Sequence, residues 1–204
     1  MIPNSKDVDA LQMLVSDNTS DNETKCREYL KFAHPLLVHP LNQGVNVIDV
    51  EEEQPSVTGR SDYFLLCEKD FAVKERRRIY VWELKAPQHY VFEVETKNRA
   101  VPSVSLMEAE NQLLHYLDEY KKSGAFKDLH EIRGSDDIVA GGIIIGRDDR
   151  LVKVRNGLVD RAKADKLAGA VERIRNTYFY RDSLRIVLWS QILRFVENRV
   201  EKET

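Results

Sequence analysis

Apolar residues first recur at helical spacing at Val8, Leu11, Leu14 and Val15, until the turn-forming and capping types of residues 16–22 (SDNTSDN) interrupt them. The pattern predicts an N-terminal arm or one short helix over residues 1–20. Ser20 and Glu23 then stand at capping-box spacing. Cys26, Tyr29, Leu30 and Ala33 continue the 3.6-residue period up to Pro35, predicting a first helix from about 21 to 34. Beyond the HPLLVHP turn, polar and apolar residues alternate. VNVIDVEE (45–52) predicts a strand, QPSVTG (54–59) a break, and RSDYFLLCEKD (60–70) a second strand turning at Glu68–Asp70. RRRIYVWELKAP (76–87) predicts a third strand returning beside it.

YVFEVETK (90–97) reads as one more extended piece before a polar linker and Pro102. A helix face then follows over Leu106, Ala109, Leu113, Leu117 and Tyr120, with Ser105 and Glu108 at capping-box spacing. The β-branched run IVAGGIII (138–145) predicts a buried central strand, its Gly141 and Gly142 permitting close backbone approach. A helix over 165–176 and a strand over 184–189 come next, and Ser190 is a suitable N-cap for a last helix. An all-helical reading of 183–199 competes with that ending. The order of elements predicts an α/β sandwich with a central mixed β-sheet flanked by helices, arranged as the short segment 1–20 and a domain over 21–204.

Composition adds bounds. At 204 residues, 42% hydrophobic and 32% charged, the chain suits a single soluble domain. No apolar run is long enough to span a membrane and the N-terminus lacks the pattern of a signal peptide, so a cytoplasmic protein without membrane partners is expected. Cys26 and Cys67 show no metal-ligand spacing and read as buried small hydrophobes. Net charge is −3, but residues 140–204 hold 14 Lys and Arg against 9 Asp and Glu, while residues 1–139 hold 17 against 25. This asymmetry suits one side of the molecule to a polyanion, or simply solvates helix faces.

Candidate chemistry concentrates in the third strand. With period-two alternation, Ile79, Val81, Glu83 and Lys85 share a face, so an acid and a base stand where the neighbouring residues face inward. Buried charges are costly unless paired or bound to a metal. The chain carries three other E-x-K strings, Glu23/Lys25, Glu95/Lys97 and Glu119/Lys121, each placed where exposure explains it. Only Glu83/Lys85 is embedded in aromatic and β-branched residues behind a strand opened by an acid, Asp62. Carboxylates of Asp62 and Glu83 on adjacent strands, with the carbonyl of Leu84, would offer a hard cation such as Mg2+ oxygens from several directions. Lys85 could then orient a water or stabilise developing negative charge on a phosphodiester. The competing reading is a structural ion pair of Lys85 with Glu83 or Asp62, and Glu95/Lys97 remains a rival for the functional pair.

GRSDYFLL (59–66), IYVWELKAP (79–87) and AENQLLHYLDEY (109–120), together with ETKCREYLKFAHPLL (23–37), GGIIIGR (141–147) and LRIVLWSQIL (184–193), resemble in order and spacing the PD-(D/E)xK nuclease superfamily. Within it they resemble the nuclease domain of the Shedu family of bacterial anti-phage defence proteins. The resemblance implies a restriction-endonuclease-like fold and a metal-dependent DNA endonuclease using Mg2+, with Mn2+ as a substitute. Asp62 and Glu83 would be metal ligands and Lys85 the water-positioning residue. Gln112 would stand beside the lysine, and Glu23 would be an acid aimed at the site, in competition with its capping role. Ser61 departs from the superfamily's proline. Only about 20 residues precede the first nuclease helix where Shedu-like proteins carry more, so a regulatory N-terminal region could be missing. Arg147, Arg150, Lys153 and Arg155 are the expected DNA-backbone contacts, a homo-oligomer is expected, and KERRR (74–78) is either a charged hairpin loop or a phosphate contact. From a different class, a catalytically inactive nuclease-fold module for DNA binding or oligomerisation fits the same pattern. The absence of GxxxxGK[ST], GxGxxG and GxSxG argues against ATPases, dinucleotide enzymes and serine hydrolases.

Overall fold

A computed structural model describes residues 2–19, 21–38, 45–56, 59–71, 74–155, 157–177 and 184–201, with the side chains at 45, 46, 48–62, 69–76 and 201 outside that description. Helix α1 (Ser5–Ser16) begins at a capping box in which Asn4 accepts the N–H groups of Lys6 and Asp7 and Asp7 returns a bond to the Asn4 N–H. It is no trailing arm, because Leu11 and Val15 are buried in the main core.

The single helix expected over 21–34 is broken. Helix α2 (Glu23–Arg27) gives way to a 3-10 turn at Leu30–Phe32, and α3 (His34–Leu37) restarts with Pro35 near its beginning, where a missing N–H does no harm. Among the described residues, the long strands β1 (Val45–Ser56), β2 (Gly59–Phe71) and β3 (Lys74–Leu84) pair antiparallel. Strand β2 does not turn at Glu68–Asp70. It runs on to Phe71, so KERRR belongs to β3 and not to a loop, with Glu75 opposite Asp70 and Arg77 opposite Glu68. Backbone pairing carries the strands past the apolar run, with one complementary pair among the facing charges: Arg77 Nε lies 3.4 Å from Glu68 Oε1 and its Nη1 3.0 Å from Glu131.

Strands β4 (Phe92–Thr96) and β5 (Arg99–Pro102) form a hairpin, so the expected polar linker is itself a strand. Helix α4 (Val104–Lys122) is capped by Ser103, whose hydroxyl accepts the Leu106 N–H, and not by Ser105. Then come α5 (Gly124–Leu129), β6 (Ile138–Ile144), β7 (Val152–Lys153), α6 (Arg161–Arg175), β8 (Arg185–Val187) and α7 (Trp189–Glu201). Helix α6 starts at its N-cap Asp160, earlier than the apolar period suggested. The strand-then-helix reading of the C-terminal segment holds, although Ser190 is not its cap: the Gln191 carboxamide oxygen accepts the Leu188 N–H instead.

The main sheet has the order β1-β2-β3-β6-β8, with β6 parallel to both neighbours; a smaller sheet has the order β5-β4-β7. Strand alternation divides the core in two. Tyr63, Leu65, Cys67, Tyr80, Trp82, Leu84 and Ile144 pack against α1, α2, α3 and α7. Phe64, Leu66, Ile79, Val81, Ile143 and Ile145 pack against α4, α6 and the small sheet. This is the mixed α/β sandwich that the pattern predicts. Both cysteines are free and buried, and burial pushes each thiol up to about 12, so neither is a nucleophile at neutral pH.

Candidate active site

Strand β3 lies between β2 and β6, fully inside the sheet, which is why it carries six consecutive buried residues from Ile79 to Leu84. Glu83 is one of them, 1% exposed. In the alternation it follows Ile79 and Val81, onto the α4 side of the sheet. Its Oε1 accepts a bond from Lys85 Nζ at 2.9 Å, and the lysine side chain is 16% exposed. An ion pair at this depth has heavy desolvation and little screening, so both groups are strongly coupled.

Tyr63 of β2 is paired with Trp82. One step further along the two strands lie Asp62 and Glu83, so the acid that opens β2 sits on the strand adjacent to Glu83, as expected. The side chain of Asp62 lies outside the described residues. Lys85 donates its N–H to Ile144 O at 2.8 Å, so the preceding Leu84 peptide faces β2, the side on which Asp62 stands. Among the described residues no three His, Cys, Asp or Glu side chains gather into a metal-holding group.

Gln112 is exposed on α4. With Ser105, Tyr116 and Glu119 it shares the flank of the helix away from Glu110, which pairs with Arg175 of α6. Glu23 is the first residue of α2, where Asp21 accepts its N–H at 3.1 Å. The N-cap is Asn22, so Glu23 does not occupy the third position that a capping box requires; Ser20, the other half of that expectation, lies outside the described residues. Helix α2 packs through Cys26 on the Trp82 side of the sheet, opposite the face on which Glu83 lies. Glu95, the rival acid, is exposed on the small sheet and bonds Arg99 at 2.7 Å. The rival pair is thus not on the strand system of Asp62.

The basic residues divide sharply. Arg147 is 6% exposed; its guanidinium donates to Val15 O, Asn18 Oδ1 and Asp149 Oδ1 (2.6 Å). The expectation that Arg147 touches a DNA backbone is therefore withdrawn: it caps the end of α1. Arg150 reaches Tyr90 OH and Asn18 Oδ1, each at 2.7 Å, and stacks on the Tyr90 ring. Lys153 and Arg155 are exposed, Arg155 paired with Glu93. Arg185 gives its fork to the carbonyls of Leu36 and Leu37 and lies over Trp82, while Arg199 bonds Phe32 O at 2.8 Å. Much of the positive excess in the C-terminal third is thus turned inward onto backbone carbonyls.

Among the histidines, His34 Nε2 lies 2.7 Å from Tyr63 OH, and desolvation lowers its pKa to about 4. It is a neutral hydrogen-bonding partner on the far face from Glu83. Two contributors escaped sequence reasoning. Trp189, read there as the end of a strand, starts α7 and sends its indole N–H to Lys85 O at 2.8 Å. Gln88, just past the third strand, ties that segment to α1 through Asp17 O at 2.5 Å.

No curated protein matches the chain. Residues 20–168 match the family model described as Shedu protein SduA, C-terminal, a span that takes in α2, the central strands, α4, β6 and most of α6, and the chain belongs to that family.

Proposed function

We propose that this chain is a divalent-metal-dependent DNA endonuclease of the PD-(D/E)xK type, hydrolysing phosphodiester bonds as part of bacterial anti-phage defence. The observation that carries the reading is the Glu83–Lys85 pair, held 2.9 Å apart and nearly dry on a central strand, with Asp62 on the strand beside it. Membership of the Shedu family supports the defence setting. The donor types fit a hard cation such as Mg2+, held by the carboxylates of Glu83 and Asp62 with the Leu84 carbonyl. A bound cation supplies Lewis acidity toward the scissile phosphate. Lys85 then orients the attacking water and stabilises charge on the phosphate oxygens, an ammonium being worth more in this desolvated setting than in bulk water. Gln112 and the exposed cations Lys153 and Arg155 would contact substrate or complete the site, and a homo-oligomer would present two sites to a duplex.

A second reading has one observation in its favour. Lys85 Nζ bonds Glu83 Oε1 directly, as in a structural ion pair within an inactive nuclease fold that only binds DNA or self-associates. Supercoiled, linear and single-stranded DNA incubated with and without Mg2+ separate the two. The endonuclease cleaves only with the cation, and Glu83→Gln or Lys85→Ala lowers the rate by at least roughly 10²-fold. Undiminished cleavage by both variants would refute the reading. Salt-sensitive DNA binding with no cleavage in Mg2+ or Mn2+ would establish the second.

A further inference from the structure

The backbone of Lys85 is held in an unusual way. In a parallel ladder a residue donates its N–H to one residue of the neighbour and accepts at its C=O from the residue two further on. Lys85 donates to Ile144 O, so its ladder acceptor bond should come from the N–H of Gly146. It does not. Gly146 takes a left-handed conformation, φ 63°, and its N–H goes to Ala86 O at 3.4 Å. A β-carbon at Gly146 would stand 2.8 Å from His89 O, so glycine suits this turn both sterically and conformationally. The Lys85 carbonyl is taken instead by the indole N–H of Trp189 at 2.8 Å.

Trp189 is itself fixed. It is fully buried, and its backbone N–H donates to Gly146 O at 2.9 Å. The same glycine that breaks the ladder therefore seats the side chain that replaces it. Trp189 lies in the same buried cluster as Leu84, Ile192 and Val196, and its indole N–H donates to the Lys85 carbonyl. A phenylalanine would fill most of the same space and could not make the bond.

We infer that Trp189 is a positioning residue for Lys85. Its indole substitutes for the missing ladder donor and fixes the peptide from which the lysine side chain projects, at the point where the strand leaves the sheet. The inference rests on the proposed catalytic role of Lys85, but the positioning itself is a separate physical claim. In that role Trp189 touches neither substrate nor metal. A displacement of Lys85 of about 1 Å would cost roughly 10²-fold in rate, because catalytic groups must stay near the reacting geometry.

The test compares Trp189→Phe with Ile192→Ala, a fully buried position on the same helix whose aliphatic side chain can donate no hydrogen bond to Lys85. Two readouts are taken: kcat and KM for Mg2+-dependent plasmid nicking, and the 15Nζ resonance of Lys85 in lysine-labelled protein, assigned with Lys85→Ala. The expected result for Trp189→Phe is a kcat lowered by about 10- to 100-fold at little changed KM, with the Lys85 resonance shifted toward that of a solvated lysine. Ile192→Ala should lower thermal stability while keeping the wild-type resonance and kcat. If Trp189→Phe retains both the resonance and kcat of the wild type, or if Ile192→Ala changes the Lys85 resonance equally, the inference is overturned. If the wild type nicks no DNA, the endonuclease reading fails, and the resonance comparison alone still decides whether Trp189 positions Lys85.

Discussion

Arg147 offers the sharpest separation between what its charge suggests and what its surroundings require. Its guanidinium is 6% exposed and donates to Val15 O near the end of α1, to Asn18 Oδ1, and to Asp149 Oδ1 at 2.6 Å with a second contact at 3.2 Å. Arg147→Ala removes these bonds together and leaves the Val15 carbonyl without its donor. A hydrogen bond from a charged donor contributes about 1.5–3 kcal/mol, and an unsatisfied buried carbonyl costs about 1–3 kcal/mol. The Asp149 partner is largely exposed and adds little. Because the terms overlap, a loss of about 3 kcal/mol is expected, which for a domain of this size lowers Tm by roughly 6–12 °C. Arg147→Lys should recover only part of it, since one ammonium cannot reproduce the planar fork. Urea and thermal melts measure the loss, and DNA binding is followed over a salt series. A phosphate contact would behave in the opposite way, leaving stability within about 0.5 kcal/mol and reducing the salt slope by about 1. A variant that melts with the wild type but binds DNA less steeply would refute the structural assignment.

Three further outcomes are open to measurement. Lys85→Met should destabilise by about 3 kcal/mol, since it takes the ion-pair partner from a buried carboxylate, whereas Glu83→Leu combined with Lys85→Met should restore or exceed wild-type stability; matched urea melts of single and double variants decide it, and an unchanged single variant would contradict the coupling. Gly142→Ala should cost roughly 3 kcal/mol or more in a thermal melt, because a β-carbon there would stand 2.2 Å from Arg185 O at φ 150°, and the backbone of β8 cannot yield as a flexible side chain can. His34 has its folded pKa depressed from 6.5 to about 4 by burial. The unfolded chain then binds the proton first, so its contribution to stability is complete above pH 6.5 and is lost as pH falls toward 4. His34→Gln should flatten that part of the stability–pH curve, and an unaltered slope would show that His34 does not titrate as described.

The parts of the fold written in local periodicity were legible in the sequence. The face of α4, the β-branched run of β6 and the alternation of β3 predict their elements because each buries one face or both against a neighbour. Boundaries failed where tertiary contacts overrode local signals. Glu68–Asp70 looked like a turn, yet the backbone of β3 pairs with them residue for residue, Arg77 standing opposite Glu68, and the strand continues. Ser105 looked like a cap, but Ser103 follows Pro102 and takes the role, leaving Ser105 to bond His89 Nδ1 at 2.9 Å. At the site, Glu83 and Lys85 stood out because charge on a buried strand is rare. Trp189 did not, because nothing local distinguishes an aromatic that fills a core from one whose N–H replaces a ladder bond. Arg147 misled for a related reason: net charge by region cannot tell a solvated guanidinium from one capping a helix 132 residues away in sequence.

The site is also where the chain breaks its own rules. From Ile79 to Leu84 the other buried residues of β3 are hydrophobic, and at Glu83 that pattern stops with an acid 1% exposed. Two residues later the parallel ladder stops as well, because Gly146 turns left-handed and an indole takes over the carbonyl of Lys85. Either departure alone has a bland explanation: an ion pair in one case, the end of a strand in the other. Their coincidence within three residues is harder to treat as accident. The apolar core would be served at least as well by a hydrophobic pair at 83 and 85, and the strand end by ordinary ladder bonds. A fold that gives up both at one place, and then holds the lysine's backbone from β6 and from α7, keeps a charged pair in a fixed orientation at the cost of some stability, which is the signature expected of a working site.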